Sequence, residues 1–84
     1  MLKLLRIEKS PTKFKKYRAD VLLDGVKYTG IDFGDTRYEH FKDSTPLKLY
    51  SHLDHNDIYR LHNYYLRHEK NNGVASILSK KYLW

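Results

Sequence analysis

The stretch YRADVLLDGVKYTGIDF, residues 17–33, decides the fold. Tyr17, Ala19, Val21 and Leu23 alternate with polar or less apolar neighbours, the period of a strand with one buried face. Asp24-Gly25 interrupts the pattern, and Val26 and Tyr28 resume it. Asp-Gly between two β-forming runs specifies a two-residue hairpin, because both turn positions need positive φ. The register that follows pairs Leu23 with Val26, Val21 with Tyr28, Ala19 with Gly30 and Tyr17 with Asp32. The other face then carries Leu22–Lys27, Asp20–Thr29 and Arg18–Ile31. Gly30 opposite Ala19 marks a place for a bulge or a packed aromatic ring.

Working outward, MLKLLRIE at residues 1–8 reads as a further strand, and KSPTK at 9–13 as a proline-containing turn leading into the hairpin. The expected sheet is a three-stranded antiparallel meander. Downstream, Gly34-Asp35 breaks the third strand and Asp43-Ser44-Thr45-Pro46 forms a turn. Tyr38 and Phe41 are expected to tuck under this long connection and anchor it. A helix is expected over residues 54–70. Asp54 stands as N-cap, with Leu53 and Ile58 at hydrophobic-staple spacing and Asp57 in the first turn. Ile58, Leu61, His62, Tyr65 and Leu66 form its apolar stripe, and Asn71-Asn72-Gly73 ends it. Val74, Ile77, Leu78 and Tyr82 suggest a second, shorter helix or docked tail ending in Leu83-Trp84. The expected fold is a single α+β domain over residues 1–84, its sheet covered by the 54–70 helix.

Composition narrows the function. The 84 residues are 40% hydrophobic and 14% aromatic, with eight tyrosines, enough for one small core. Without cysteine, a disulfide framework, a Cys-type zinc finger and a thiol nucleophile are excluded. No apolar run approaches the ~20 residues of a membrane span. The start MLKLLRIEK is too short and too charged for a signal peptide, so a non-secreted protein of a virion or host-cell interior (cytoplasm or nucleus) is expected. The net charge of +6 is uneven. Residues 1–18 hold seven cations against one acid, residues 19–47 three against six, and residues 48–84 six against three. Basic ends around an acidic middle suit a polyanion, and equally suit acidic protein neighbours.

Asp54, His55 and Asp57 with His52, His62 and His68 raise a metal or nuclease reading. His55 and His62 lie seven residues apart, roughly 10 Å along a helix, too far to share one ion. His62 and His68, six residues apart, point in directions about 120° apart around the helix, too divergent to share an ion. The acids already have a task at a helix start, so neither metal nor cofactor is expected. Phosphate loops, nucleophile elbows and paired catalytic carboxylates are not recognisable, which points away from an enzyme.

Two cationic features remain. Arg60, Asn63, Arg67 and Lys70 fall on one helix face with Tyr64 beside them, a combination suited to phosphate contact and base stacking. Lys13, Lys15, Lys16 and Arg18, interleaved with Phe14 and Tyr17, make a second patch. The plainer readings are a solvated helix face and an edge strand protected by lysines.

The segments FGDTRYEHFKD, TPLKLYSHLDHND, YYLRHEK and SKKYLW resemble a family of short uncharacterised proteins encoded by large DNA viruses of eukaryotes and related marine viruses. The match spans about residues 14–84. It is carried by Phe33, Gly34, Tyr38, Asp43, Asp54, Asp57, Tyr65, Arg67, His68, Leu83 and Trp84. Where the family tends to place consecutive basic residues after the acidic cap, this chain has Ile58-Tyr59-Arg60, which thins the basic face. The resemblance implies a viral protein and carries no activity with it. The leading expectation is therefore a non-enzymatic, basic viral protein that binds nucleic acid. A virion structural component, such as a minor capsid or cementing protein, is the alternative, and a metal-dependent nuclease a distant third.

Overall fold

The computed structural model describes residues 1–84. Three strands, β1 (Leu2–Lys9), β2 (Lys15–Leu23) and β3 (Val26–Asp35), form an antiparallel sheet in sequence order. Two helices follow a long connection: α1 (Ile58–Arg67) and α2 (Val74–Tyr82). The chain is an α+β fold with the expected meander.

The hairpin turn has the required geometry, with φ +50° at Asp24 and +82° at Gly25. Pairing follows the expected register from Leu23–Val26 to Val21–Tyr28. It then shifts, because Thr29 and Gly30 together oppose Asp20. Gly30 takes φ +63°, and its N–H donates to the Asp20 carboxylate at 2.8 Å. This bulge corrects the expected pairs: Ala19 faces Ile31, Arg18 faces Asp32 and Tyr17 faces Phe33. Ile31 and Phe33 thereby join the apolar face. β1 shifts in the same way at Leu5.

Tyr17, Ala19, Val21 and Phe33 from the sheet form the core with Leu78 and Leu83. Fully burying each large member of such a core is worth about 1.5–3 kcal/mol. The helix that covers the sheet is α2, which packs on β3, and not the longer α1. α2 presents Val74, Leu78 and Tyr82 to the core at helical spacing, and Lys80 and Lys81 in its last turn suit the helix dipole.

α1 also begins later than the sequence suggests. Asn56 sits at φ +53°, which interrupts any helix started at Asp54. Asp57 is the N-cap, accepting from the N–H groups of Tyr59 (2.9 Å) and Arg60 (3.3 Å). The staple is absent, since Ile58 is 70% exposed. No residue of α1 is buried; the helix leans on α2 instead. Tyr64 stacks on Trp84 with ring centroids 4.2 Å apart, and the Tyr65 hydroxyl donates to the Lys80 carbonyl. The Lys80 ammonium donates to the carbonyls of His68 and Asn71, closing the end of α1.

The connection between β3 and α1 is ordered by one buried carboxylate. Asp43 accepts from the Tyr17 hydroxyl (2.5 Å), the Thr45 N–H and hydroxyl, and the Tyr50 N–H. Burial alone would raise the Asp43 pKa, but the Thr45 and Tyr17 hydroxyls and two backbone N–H groups hold it below the usual carboxylate range. Phe41 is half-buried against His55, as an anchor should be. Tyr38, expected to do the same, is 65% exposed. No helix is long and apolar enough to cross a membrane.

Candidate nucleic-acid interface

Because α1 hangs from α2 and Trp84 rather than lying on the sheet, a groove of about 670 Å³ opens beside it. One wall is the strand ends, with Lys15, Lys16, Gly34 and Asp35. Tyr38 and Glu39 come from the connection, and Arg60, Asn63, Tyr64, Arg67 and His68 from the α1 side. Ser79, Leu83 and Trp84 complete the lining. Six of the nine residues expected from sequence to bind nucleic acid thus meet here: Lys15, Lys16, Arg60, Asn63, Tyr64 and Arg67. Residues 15 and 67 are remote in sequence, and only the fold brings them together.

The six are not equivalent. Lys15, Asn63 and Arg67 are exposed, and neither Lys15 nor Arg67 forms an ion pair. Arg60 is engaged by Glu39 at 2.9 Å. Tyr64 is half-buried between Trp84 and His68, so its ring is committed to packing and is not free to stack on a base. Lys16 is 2% exposed, the opposite of a surface phosphate contact.

The other three lie outside the groove lining. Arg18 is a structural clip. Asp32 accepts from its guanidinium at 2.9 and 3.0 Å and from the hydroxyls of Ser10 and Thr12, tying the 10–12 turn to the sheet. The guanidinium first, helped by both hydroxyls, holds the Asp32 pKa far below its usual range. Lys13 sits over the Phe14 ring at 4.9 Å, and Lys70 is exposed beyond the end of α1.

Near the groove mouth, other aromatic rings meet cations. The Arg37 guanidinium lies 4.4 Å from the Phe14 ring centroid and 5.8 Å from that of Tyr38, and it also pairs with Asp35. The two groove acids, Asp35 and Glu39, are each neutralised by an arginine in this way. Phe14 holds φ +67°, strained for a bulky side chain. The sequence places Tyr38 as an anchor and gives Arg37 no task, because both stand in an irregular segment where periodicity carries no signal.

Lys16, which lines the groove, heads a buried polar chain that runs behind it. The Lys16 Nζ donates to the Tyr38 carbonyl at 3.0 Å and lies 2.7 Å from His40 Nδ1. His40 Nε2 in turn lies 2.5 Å from the Asp54 carboxylate, which also accepts from the Asp43 N–H. With Asp54 as acceptor, His40 carries its proton on Nε2 and leaves Nδ1 to accept from Lys16. Burial and then the Lys16 charge hold the His40 pKa below 6.5. Burial lowers that of Lys16 to about 8, against the opposing pull of Asp35, Asp43 and Asp54.

The acidic and histidine cluster near the start of α1 is dispersed. Asp54 holds His40, Asp57 caps α1, and His55 packs its ring against Trp84 and Phe41. The His55 Nδ1 accepts from the Asp57 N–H, which leaves a buried Nε2 without a partner. No three His, Asp or Glu side chains come together in a way that could hold a metal ion.

No protein-family model matches the chain, and neither does any curated protein or solved structure.

Proposed function

We propose that the chain is a small, basic, non-enzymatic viral protein that binds nucleic acid along the groove beside α1. The observation that carries this reading is the convergence of two unpaired cations, Lys15 and Arg67, on one groove whose own acids are already neutralised. Free cations attract phosphate, and paired acids do not repel it. Asn63 adds an amide at the same wall, and the exposed ring of Tyr38, which also lines the groove, offers a face on which a base can stack. The viral source, and with it a virion or host-cell interior location, rests on the sequence resemblance.

Salt dependence tests it. Affinity for a single-stranded oligonucleotide should fall as salt rises, with a slope of about −0.7 per neutralised phosphate. Lys15→Ala with Arg67→Ala should flatten the slope by roughly 1.4, while Arg18→Ala should leave it unchanged. An identical slope for wild type and the double variant would remove the groove from the reading. A second reading, a virion structural component, is favoured by the exposed apolar side chains of Ile58, Tyr59 and Leu66 on α1. It predicts association with a capsid protein at fixed stoichiometry, weakened by Ile58→Ser and Leu66→Ser, and no strand binding at ~150 mM salt.

A further inference from the structure

Buried lysines ordinarily face a carboxylate. Lys16 does not: its two partners are a backbone carbonyl and an imidazole nitrogen, and it makes no ion pair. We propose that Lys16 is a carbonyl-reactive amine, positioned by His40 and Asp54 at the floor of the groove, that condenses with an aldehyde carrying a phosphate.

Three observations converge on this. His40 presents a lone pair at 2.7 Å from the amine, and Asp54 behind it stabilises the imidazolium that forms when the proton moves. This is a base oriented by a third group, set against the amine. Gly34 supplies the space for the lysine stem. A Cβ there would meet Lys16 Cδ at 2.9 Å, Lys16 Cβ at 3.0 Å and Leu83 Cδ1 at 2.8 Å, and φ is +78°. Lys15 and Arg67 line the same groove and are free to hold a phosphate while its aldehyde reaches the floor. With its pKa lowered to about 8, roughly a tenth of the amine is neutral at pH 7, far more than for an exposed lysine.

The step balances without a co-reactant. His40 Nδ1 takes a proton from the Lys16 ammonium. The amine lone pair attacks the aldehyde carbon, and a proton passes from nitrogen to the new alkoxide to give a carbinolamine. The His40 imidazolium then protonates the hydroxyl, which leaves as water, and the product is a protonated imine. Ammonium and aldehyde become iminium and water.

This inference rests on the groove binding anions, but its test separates it from nucleic-acid binding. The full chain is incubated with glyceraldehyde 3-phosphate, or with a single-stranded oligonucleotide bearing one abasic sugar. Each mixture is reduced with cyanoborohydride and the adducts are mapped by peptide mass spectrometry. The expected result is an adduct concentrated on Lys16, formed at a rate that rises through a midpoint near pH 8 and is slowed by inorganic phosphate. Trapping of the strand identifies an abasic sugar as the aldehyde source, and trapping of the small molecule alone identifies a free sugar phosphate. Adducts spread over the exposed lysines, or none on Lys16 with either probe, would overturn the proposal. Because the mapping uses the wild-type chain, it decides the matter without any substitution at the buried Lys16. Strand binding without a Lys16 adduct would sink only this inference. An adduct without strand binding would sink only the nucleic-acid reading.

Discussion

Asp54 and Asp57 lie three positions apart and are both residues that commonly start helices, yet the fold gives them unrelated tasks. Asp57 accepts from two N–H groups at the exposed start of α1. Asp54 accepts from the buried His40 ring and the Asp43 N–H. Asp57→Ala should cost about 1 kcal/mol, the usual value of an N-cap. Asp54→Ala should cost more, about 2 kcal/mol, because two inward-facing donors lose their acceptor. Asp54→Asn should recover part of that loss by keeping an oxygen in place. Urea denaturation of the three variants checks the order, and a larger cost for Asp57→Ala would contradict the assignment of the cap.

Among the elements, the two helices differ in what they contribute to stability. α2 buries Leu78 completely against the sheet, whereas α1 buries nothing and is held at its edge by Trp84 and Lys80. Leu78→Ala should therefore cost about 3 kcal/mol through lost burial and a residual cavity. Ile58→Ser and Leu66→Ser, at positions 70% and 56% exposed, should change stability by no more than about 0.5 kcal/mol. Equal losses in chemical denaturation would mean that α1 packs on the core after all. The weak seating of α1 is also what leaves the groove open, so the helix most visible in the sequence serves the surface rather than the core.

Across the whole molecule, perturbed titratable groups couple stability to pH. His40 has its folded pKa held below 6.5, so as pH falls past 6.5 the unfolded chain takes up its proton first. Its contribution is complete above 6.5 and is lost as pH drops through the lower folded value. Asp43 and Asp32, both held below 3.8, add a second loss that begins as pH falls past 3.8. Urea midpoints measured from pH 8 to pH 3 should fall in two stages, and the first should vanish in His40→Gln. A single acid transition unchanged by that substitution would rule out His40 as the group responsible.

What the sequence by itself determined is local. Asp24-Gly25 required a hairpin turn because few other pairs accept two positive φ values, and the alternation around it set the pairing as far as Tyr28. The α+β class, the basic ends and the cations worth watching followed from the same short-range rules. Beyond Tyr28, tertiary structure decided. The Gly30 bulge moved Phe33 into the core, Asn56 transferred the cap from Asp54 to Asp57, and α2 rather than α1 took the sheet. Of the nine residues expected to bind, Lys16 is buried, Arg18 is engaged by Asp32 and Tyr64 is stacked on Trp84. The physical reason is sequence separation. Lys16 with His40, Tyr17 with Asp43 and His40 with Asp54 are contacts 24, 26 and 14 residues apart, and no local pattern specifies which distant polar group will meet another.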